Sequence, residues 1–231
     1  SSELIRKKAK GETLDEVEIY RIIEDILNGN LNDAQIAYFV SVQKLIGMNY
    51  DEIYYLTNAM IGTGNEMVFG DRIISDKHCV GGVAGNRTTP IVVSICVALG
   101  LTVPKTSSRA ITSAAGTADT IETLANVELG MSRIKQIVKK EGGCMIWNAK
   151  AKLSPTDDKI IKIEKSLGID ISSQLVASVL SKKISMGSHN LIIDIPYGPG
   201  SKIGDLRNAK KLRSIFKNVG KRFGLNIKVI F

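Results

Sequence analysis

Apolar residues recur at helical spacing through the first third of the chain, and short polar runs separate the repeats. The first repeat ends at Asn28-Gly29, and the second begins at Asn32-Asp33, whose side chains suit a helix N-terminus. The third begins at Asn49 or Asp51 and closes near Gly62. This pattern predicts a group of helices over residues 1 to about 66.

After Gly64 the pattern changes to short β-rich runs that alternate with helical ones. The predicted strands are Arg72–Ser75, Leu101–Pro104, Cys144–Trp147, Leu191–Ile195 and Leu225–Ile230. The predicted helices are Thr89–Leu99, Thr117–Ala125, Ser132–Glu141, Ser172–Met186 and Asp205–Val219. Alternation of this kind favours an α/β fold with a mostly parallel sheet covered by helices, and such sheets bind ligands at the carboxyl ends of their strands.

Two polar segments follow predicted strands and lead into predicted helices. The first runs from Asp76 to Pro90 and the second from Pro104 to Asp119. Both are rich in Gly, Ser, Thr and cations, and both are nearly free of large apolar side chains. Small residues let backbone N–H groups approach a ligand, hydroxyls add donors, and a helix N-terminus adds a favourable dipole. The sequence therefore predicts a phosphate held between the two segments.

Composition narrows the class of protein. Hydrophobic residues make up 44% of the 231 residues, which is enough for a packed core. The longest apolar stretch, Ile91 to Val103, is too short to span a membrane, so we expect no membrane partner. The three cysteines have no paired or metal-like spacing and there are two histidines, which predicts no metal site and reduced thiols in the cytoplasm.

The net charge of +8 is concentrated near the end of the sequence. Residues 201–231 carry nine Lys/Arg and one acid, whereas the first 200 residues carry 22 bases and 22 acids. Aromatic residues are not interleaved with these cations as stacking platforms, so the pattern favours the solvated face of a helix over a nucleic-acid partner.

The polar segments, together with Ser178 and Lys182-Lys183, resemble the pyrimidine-nucleoside phosphorylase family, above all its archaeal branch that acts on nucleoside monophosphates. The motifs are Asp76-Lys77-His78, Gly81-Gly82-Val83, the run from Pro104 to Ser113, and Gly116-Thr117-Ala118-Asp119. The resemblance implies an active-site cleft between two domains. The first is a small all-α domain over 1–66 and about 156–187, and the second is an α/β phosphate-binding domain over 67–155 and 188–231.

The resemblance also implies a reaction. Phosphate and a nucleoside 5′-monophosphate are the expected partners, and AMP would give adenine and ribose 1,5-bisphosphate by glycosyl transfer without a cofactor. The apolar run from Ile227 to Phe231 and the greater length of family members predict that the chain is part of a longer protein. We expect that protein to be a homo-oligomer, and this chain alone to have low activity.

Roles for individual residues follow from the resemblance. The attacking phosphate is expected at Lys77, Gly81, Thr89 and Ser107. The nucleotide is expected at Gly82, Ser108, Arg109, Ala110, Ile111, Thr112, Ser113, Thr117, Ser178 and Lys202. Base or sugar contacts are expected at His78 and Lys182, and Asp170 is the expected catalytic proton donor. These types suit the task, because lysines supply charge, glycines let backbone approach, and a carboxyl group of raised pKa can donate a proton.

Structural interpretations of several of these residues stay open. Arg109 can face a 5′-phosphate or form a salt bridge, and His78 can be hydrogen-bonded within its own segment. Asp170 can cap the helix that follows, and Lys202 can be a solvated lysine. Glu164 stands where the family often has an arginine, so no guanidinium contact is expected there.

Two other functions remain as alternatives. A phosphoribosyltransferase of the anthranilate type shares the helical-plus-α/β fold, but it would need carboxylates for magnesium and pyrophosphate. A non-catalytic anion- or nucleic-acid-binding module has the basic end of the sequence as its support, and it would show steep salt dependence.

Overall fold

The computed structural model describes residues 1–81, 83, 87–110 and 115–231. Within these residues helices occupy the first quarter of the chain, and strands and helices alternate after it. The elements are α1 Ser2–Ala9, α2 Glu16–Asn28, α3 Asp33–Ile46, α4 Tyr50–Gly62, β1 Ile74–Cys79, α5 Thr88–Ala98, β2 Val103–Ser107, α6 Thr117–Glu122, α7 Met131–Glu141, β3 Gly143–Trp147, α8 Asn148–Ala151, α9 Pro155–Leu167, α10 Ser172–Ser185, β4 Ser188–Asp194, α11 Leu206–Arg222 and β5 Asn226–Ile230.

Side-chain caps set the starts of the early helices. The side chains of Asp15, Asn32 and Asn49 each accept a hydrogen bond from the backbone N–H three residues later, at the starts of α2, α3 and α4. At each start the third helical residue returns a bond to the backbone N–H of the cap, which satisfies two groups that a helix end would otherwise leave unpaired. Gly29, in the left-handed region with φ 78°, ends α2. The predicted boundaries at residues 28–29 and 32–33 are confirmed, and Asn49 rather than Asp51 starts α4.

The first core forms among α1 to α4. The four isoleucines of α2 at positions 19, 22, 23 and 26 are fully buried, and they lie on one face of the helix. Ile160 and Ile163 of α9 and Ala177 of α10 join the same cluster. The chain therefore returns to its first helices after passing through three strands.

The five strands pair in parallel throughout. β1 pairs with β4 and β4 with β5, while β2 pairs with β3. The two sheets adjoin at the starts of β1 and β2. There the Ser75 N–H donates to the carbonyl oxygen of Thr102 at 2.9 Å, and Ile74 and Thr102 form a parallel β-bridge. The strands thus run in the order β3-β2-β1-β4-β5, and the chain changes direction across the sheet between β1 and β4. The predicted α/β class, with a small helical bundle and a parallel sheet, is confirmed. A crevice forms at such a switch point, beyond the carboxyl ends of the strands.

The predicted bounds of the first two strands are wrong. The sequence predicts β1 at Arg72–Ser75 and β2 at Leu101–Pro104, whereas β1 lies at Ile74–Cys79 and β2 at Val103–Ser107. Both strands extend into segments whose charged and hydroxyl residues, in the sequence alone, favour solvated loops. In the structure most of these residues are buried, and Asp76 and Lys77 are paired with residues of other elements, so a polar sequence forms the central strands of the sheet.

Helix α10 connects the helical and sheet regions. Val176, Val179 and Leu180 of α10 pack in a second core with Ile53 of α4 and with residues of β4, β5 and α11. One helix therefore contributes to both cores. This shared helix fixes the helical region against the sheet region. The domain boundaries given by the resemblance stay a proposal. Across the described ranges, none of the helices has the length and apolar character needed to cross a membrane.

The close approach at Gly64 gives a prediction about stability. A Cβ at Gly64 would lie 2.1 Å from the carbonyl oxygen of Leu153, so Gly64→Ala forces backbone to move where α4 meets the start of α9. We expect a loss of about 1–3 kcal/mol in the free energy of unfolding, as for other overpacked sites. Gly204→Ala is the control, because a Cβ there meets nothing within 4 Å. Urea unfolding measures this loss as a lower denaturation midpoint with an unchanged m-value. Equal midpoints for Gly64→Ala and Gly204→Ala would contradict the prediction.

Candidate functional site

A cavity of about 320 Å³ opens at the carboxyl ends of β1 and β2 and is closed on its other side by α9, α10 and the loop after β4. Most of the described residues that the sequence singled out line it. These residues are His78, Gly81, Thr89, Ser107, Ser108, Arg109, Thr117, Asp170, Ser178, Lys182 and Lys202. Residues from position 78 to position 202 of the chain thus meet in one cleft, at the position that a switch point in a parallel sheet predicts.

Some predicted residues are placed elsewhere. Lys77 and Ala110 are described but do not line the cavity. Gly82, Ile111, Thr112 and Ser113 lie outside the described residues. The roles that the resemblance gives to all these residues stay predictions.

A buried ion pair lies beneath the cleft. The Lys183 Nζ is 2.7 Å from Asp76 Oδ2, and both side chains are almost completely shielded from solvent. The same ammonium donates to Thr106 Oγ1 at 2.8 Å, and Asp76 Oδ1 accepts from the Lys77 backbone N–H at 2.7 Å. These contacts tie α10 to β1 and β2. Asp76 and Lys183 belong to the sequence motifs, but nothing in the sequence signals their pairing.

Lys77 makes a second set of contacts between elements. Its ammonium is 3.2 Å from Asp194 Oδ2 at the end of β4, and it donates to Thr88 Oγ1 at 3.1 Å and Thr89 Oγ1 at 3.3 Å. The charge of Lys77 therefore lies next to the N-terminus of α5, and Thr89 extends this set to the cavity wall. Gly81, just after β1, has φ +92°, which explains a glycine at this point of the wall.

Lys105 is the lysine of the cleft that sequence reasoning missed. It is 4% exposed, and its ammonium donates to the carbonyl oxygen of Thr106, with no carboxylate partner among the described residues. Burial, followed by the positive charge of Lys183, holds the pKa of Lys105 well below its usual range. Ser107 Oγ and Asn148 Oδ1 are buried nearby in the cavity wall without a hydrogen-bond partner in the described part of the chain. A buried cation beside a hydroxyl that can still donate is suited to an oxyanion.

His78 lies in the same wall as a neutral base. Burial is the main cause that holds the pKa of His78 well below its usual range, and the charges of Lys183, Lys105, Lys182 and Lys77 act in the same direction. At neutral pH the imidazole can therefore donate one hydrogen bond and accept another. The predicted base or sugar contact at this residue stays a prediction.

The opposite wall presents Ser178 and Lys182, one turn apart on α10. The Lys182 Nζ donates to Ser178 Oγ at 3.0 Å, and Ser178 Oγ donates to Asp157 Oδ2 at 2.9 Å. Lys182 also forms an ion pair with Asp157, which is fully buried on α9 and accepts a further bond from Gln174 at 3.3 Å. The prediction that Ser178 and Lys182 share a face is confirmed. Asp157, which fixes both, carries no signal in the sequence beyond its place at the start of a helix.

Asp170 is held by a lysine rather than by a helix end. Its Oδ1 is 2.5 Å from Lys202 Nζ, and its backbone oxygen accepts from Lys44 Nζ at 2.9 Å. The cap position of α10 is Ile171, without a side-chain cap, so the capping interpretation of Asp170 is wrong. Lys202 is mostly shielded, so its interpretation as a solvated lysine is wrong as well.

The Arg109 guanidinium is surrounded by acids. It is 3.2 Å from Asp119 Oδ1 and 2.5 Å from Glu122 Oε2, and it also pairs with Glu128 at 3.1 Å. It lies 4.5 Å above the ring of Trp147. Glu122 is the main cause of the raised pKa of Arg109. The structural salt bridge left open by the sequence is therefore present, and a nucleotide phosphate at Arg109 would have to compete with three carboxylates.

The comparisons with known proteins agree with this geometry. Residues 2–64 match the family model described as "Glycosyl transferase family, helical bundle domain", and residues 71–185 match "Glycosyl transferase family, a/b domain". The chain is 49% identical over 226 residues to a "Putative thymidine phosphorylase" of Maricaulis maris and 47% identical over 227 residues to "AMP phosphorylase 1" of Archaeoglobus fulgidus. Each match covers 98% of this chain, which spans 44% and 45% of the length of these relatives.

A solved structure shares the fold. The anthranilate phosphoribosyltransferase of Thermus thermophilus matches with a TM-score of 0.77 over 94% of this chain and 63% of its own, at 19% identity. At that identity the likeness shows the fold alone. The two family models, which together cover the helical bundle and most of the strand–helix region, confirm the membership that the motifs indicated. The chain belongs to the glycosyl transferase family whose helical bundle and a/b domains these models describe.

Proposed function

We propose that the protein to which this chain belongs is a phosphorylase that transfers the pentosyl group of a nucleoside 5′-monophosphate to inorganic phosphate. The observation that carries the proposal is the set of groups around Lys105: a buried ammonium without a carboxylate partner and the unpartnered Ser107 hydroxyl, in the described wall of one cleft. The names of the two relatives, a thymidine phosphorylase and an AMP phosphorylase, support the same reaction class.

The attacking phosphate is assigned to the sheet side of the cleft. Lys105 supplies charge, Ser107 and Thr89 supply hydroxyl donors, and Gly81 allows backbone to approach. Lys77 acts from behind Thr89, because its ammonium donates to that hydroxyl. Groups fixed in this way hold phosphate without reorganisation, and positioning of the nucleophile beneath C1′ is a main source of rate in such a transfer.

The nucleotide is assigned to the opposite side. Lys202 reaches the cavity from the loop between β4 and α11, where the Ser201 hydroxyl donates to the carbonyl oxygens of Gly198 at 2.9 Å and Ile203 at 2.6 Å. This fixed loop presents one ammonium to a 5′-phosphate. Ser178 and Lys182 on α10 then face the sugar or base, and Asp170, beside Lys202, is the donor that the family resemblance suggests.

The phosphoribosyltransferase alternative is compatible with the fold. The likeness to the Thermus enzyme does not support its activity further, because at 19% identity the likeness shows the fold alone. Among the described residues no three His, Cys, Asp or Glu side chains come together as a cation site. The lysine-rich cleft favours direct binding of phosphate as the nucleophile.

Substitution of Lys202 tests the preference for nucleotides. In the whole protein we expect Lys202→Gln to lower kcat/KM for AMP roughly 10- to 100-fold, because a charge-assisted hydrogen bond to the 5′-phosphate is lost. Adenosine, which lacks that phosphate, should lose little. Lys210→Gln, on an exposed position of α11, is the control. Equal kcat/KM for AMP and adenosine in the unaltered protein, or equal losses for both in the variant, would contradict the assignment.

Anion binding by this chain should take up a proton at Lys105. The pKa of Lys105 is depressed, and a bound anion raises it, so above the depressed pKa binding is coupled to protonation and affinity falls as pH rises. Calorimetry with sulfate, in buffers that differ in ionisation enthalpy, measures this uptake without interference from titration of phosphate itself.

We expect Lys105→Met to abolish the proton uptake and to weaken sulfate binding, and Lys77→Ala to weaken phosphate binding. Lys211→Met, exposed on α11, serves as control. Sulfate affinity that does not vary with pH, or that survives in Lys105→Met, would show that the anion binds elsewhere.

A further inference from the structure

One amide side chain in the wall of the cleft has an unpaired buried oxygen. Asn148 lines the cavity and is 3% exposed, and its Oδ1 has no hydrogen-bond partner among the described residues. Seven buried side-chain atoms of the described residues lack a partner, and Asn148 Oδ1 and Ser107 Oγ are the two that belong to the cavity lining. Because buried polar atoms are nearly always hydrogen-bonded, an unpaired oxygen in a cavity wall points to a ligand that supplies the donor.

The sheet places Asn148 beside the groups assigned to phosphate. Asn148 directly follows Trp147, the last residue of β3, and Trp147 pairs in register with Ser107, the last residue of β2. Asn148 therefore lies one residue beyond the carboxyl end of a strand whose neighbour ends at Ser107. In the proposed function Ser107 donates to the attacking phosphate, so the Asn148 amide lies next to the nucleophile.

The turn that carries Asn148 is held on both sides. Before it, the Trp147 N–H donates to the carbonyl oxygen of Val127 at 2.9 Å. After it, the carbonyl oxygen of Ala151 accepts from Asn65 Nδ2 at 3.1 Å, which ties the short helix α8 to the end of α4. The backbone thus presents the amide from a fixed position, as a group that selects between substrates requires.

The chemistry of the unpaired atom restricts its ligand. An amide oxygen is an acceptor, so it needs a hydrogen-bond donor, whereas a phosphate ion offers mainly acceptors. In phosphorolysis the phosphate approaches C1′ from the face of the sugar opposite the base. The 2′-hydroxyl of a ribonucleotide lies on that same face, on the carbon next to C1′. It is therefore the substrate donor nearest to the attacking phosphate.

We propose that Asn148 is a specificity-determining residue that binds the 2′-hydroxyl of the sugar and makes the cleft selective for ribonucleotides over 2′-deoxyribonucleotides. This inference rests on the proposed phosphorolysis. The family resemblance assigns no role to Asn148. Selectivity follows because a 2′-deoxyribonucleotide leaves the buried amide oxygen unpaired, and a site built to bond a substrate hydroxyl rejects an analogue that lacks it.

Three nucleotides test the inference in the whole protein: AMP, 2′-deoxy-AMP and 3′-deoxy-AMP. We expect Asn148→Leu, which is similar in size but cannot form the bond, to lower kcat/KM for AMP roughly 10- to 100-fold. The value for 3′-deoxy-AMP should fall equally, because this nucleotide keeps the 2′-hydroxyl, and the value for 2′-deoxy-AMP should change little. Ratios of substrates on one protein sample do not depend on the folded fraction. Comparison with the unaltered protein also cancels the greater intrinsic lability of deoxy sugars.

Two further variants serve as controls. Asn218→Leu, on the exposed face of α11, should leave all three values unchanged. Asn148→Asp keeps an acceptor, so it should retain the preference for the 2′-hydroxyl. It should also raise the KM for phosphate, because it places a negative charge beside the bound anion.

The outcomes separate the inference from the proposed function. Equal losses for all three nucleotides in Asn148→Leu would show that the amide faces the phosphate or supports the fold, and would overturn the inference. A change confined to selection at the 3′-hydroxyl, or phosphate-dependent cleavage with unaltered ratios, would overturn it as well while leaving the proposed function intact. Absence of phosphate-dependent cleavage of every nucleotide by the unaltered protein would overturn both.

Discussion

The ion pair between Asp76 and Lys183 is the contact on which the cleft depends. It joins β1 to α10, and Thr106 brings β2 into the same set of bonds. Burial of two charges is costly, and removal of one partner of such a pair typically costs about 3–5 kcal/mol because the other charge is left without compensation. Since Lys182 and Ser178 precede Lys183 on the same helix, the contact also fixes the wall that faces the strands. The cleft therefore has one rigid floor and one rigid side.

In the rest of the cleft, buried or partly buried aspartates are paired with lysines. Asp157, Asp170 and Asp194 each hold one lysine, so most of the charge in this crowded region cancels. Lys105 stands outside this pattern: it is buried and has no carboxylate partner among the described residues. A pentosyl transfer to phosphate needs one site that attracts an anion and one that delivers a proton. In the proposed function Lys105, on β2, belongs to the first of these sites.

Local signals in the sequence predicted much of the fold and part of the site. Asn32 located the start of α3 to the residue, and the start of α4 was placed at Asn49 or Asp51, of which the structure selects Asn49. Ser178 and Lys182 could be placed on one face by their spacing. Long-range pairing was not visible. The bounds of β1 and β2 were predicted wrongly because charged residues in a sequence favour a solvated loop. The residues that pair with the buried charges of β1 lie more than a hundred positions away in the sequence. Lys105 was missed for the same reason, since what distinguishes it is the carboxylate partner that it lacks in the described part of the chain.

The salt bridge between Asp170 and Lys202 connects nucleotide recognition to proton transfer in the proposed mechanism. A 5′-phosphate that binds Lys202 competes with Asp170 for the same ammonium. As the lysine turns to the phosphate, the Asp170 carboxylate loses its counter-ion on the wall that carries Glu164. A carboxyl group released from its counter-ion takes up a proton more readily, which a proton donor to the departing base requires. A nucleoside without the phosphate leaves the salt bridge intact and gains none of this effect. The same lysine would thus favour the nucleotide in binding and, by releasing Asp170, prepare the proton donor for the step that follows.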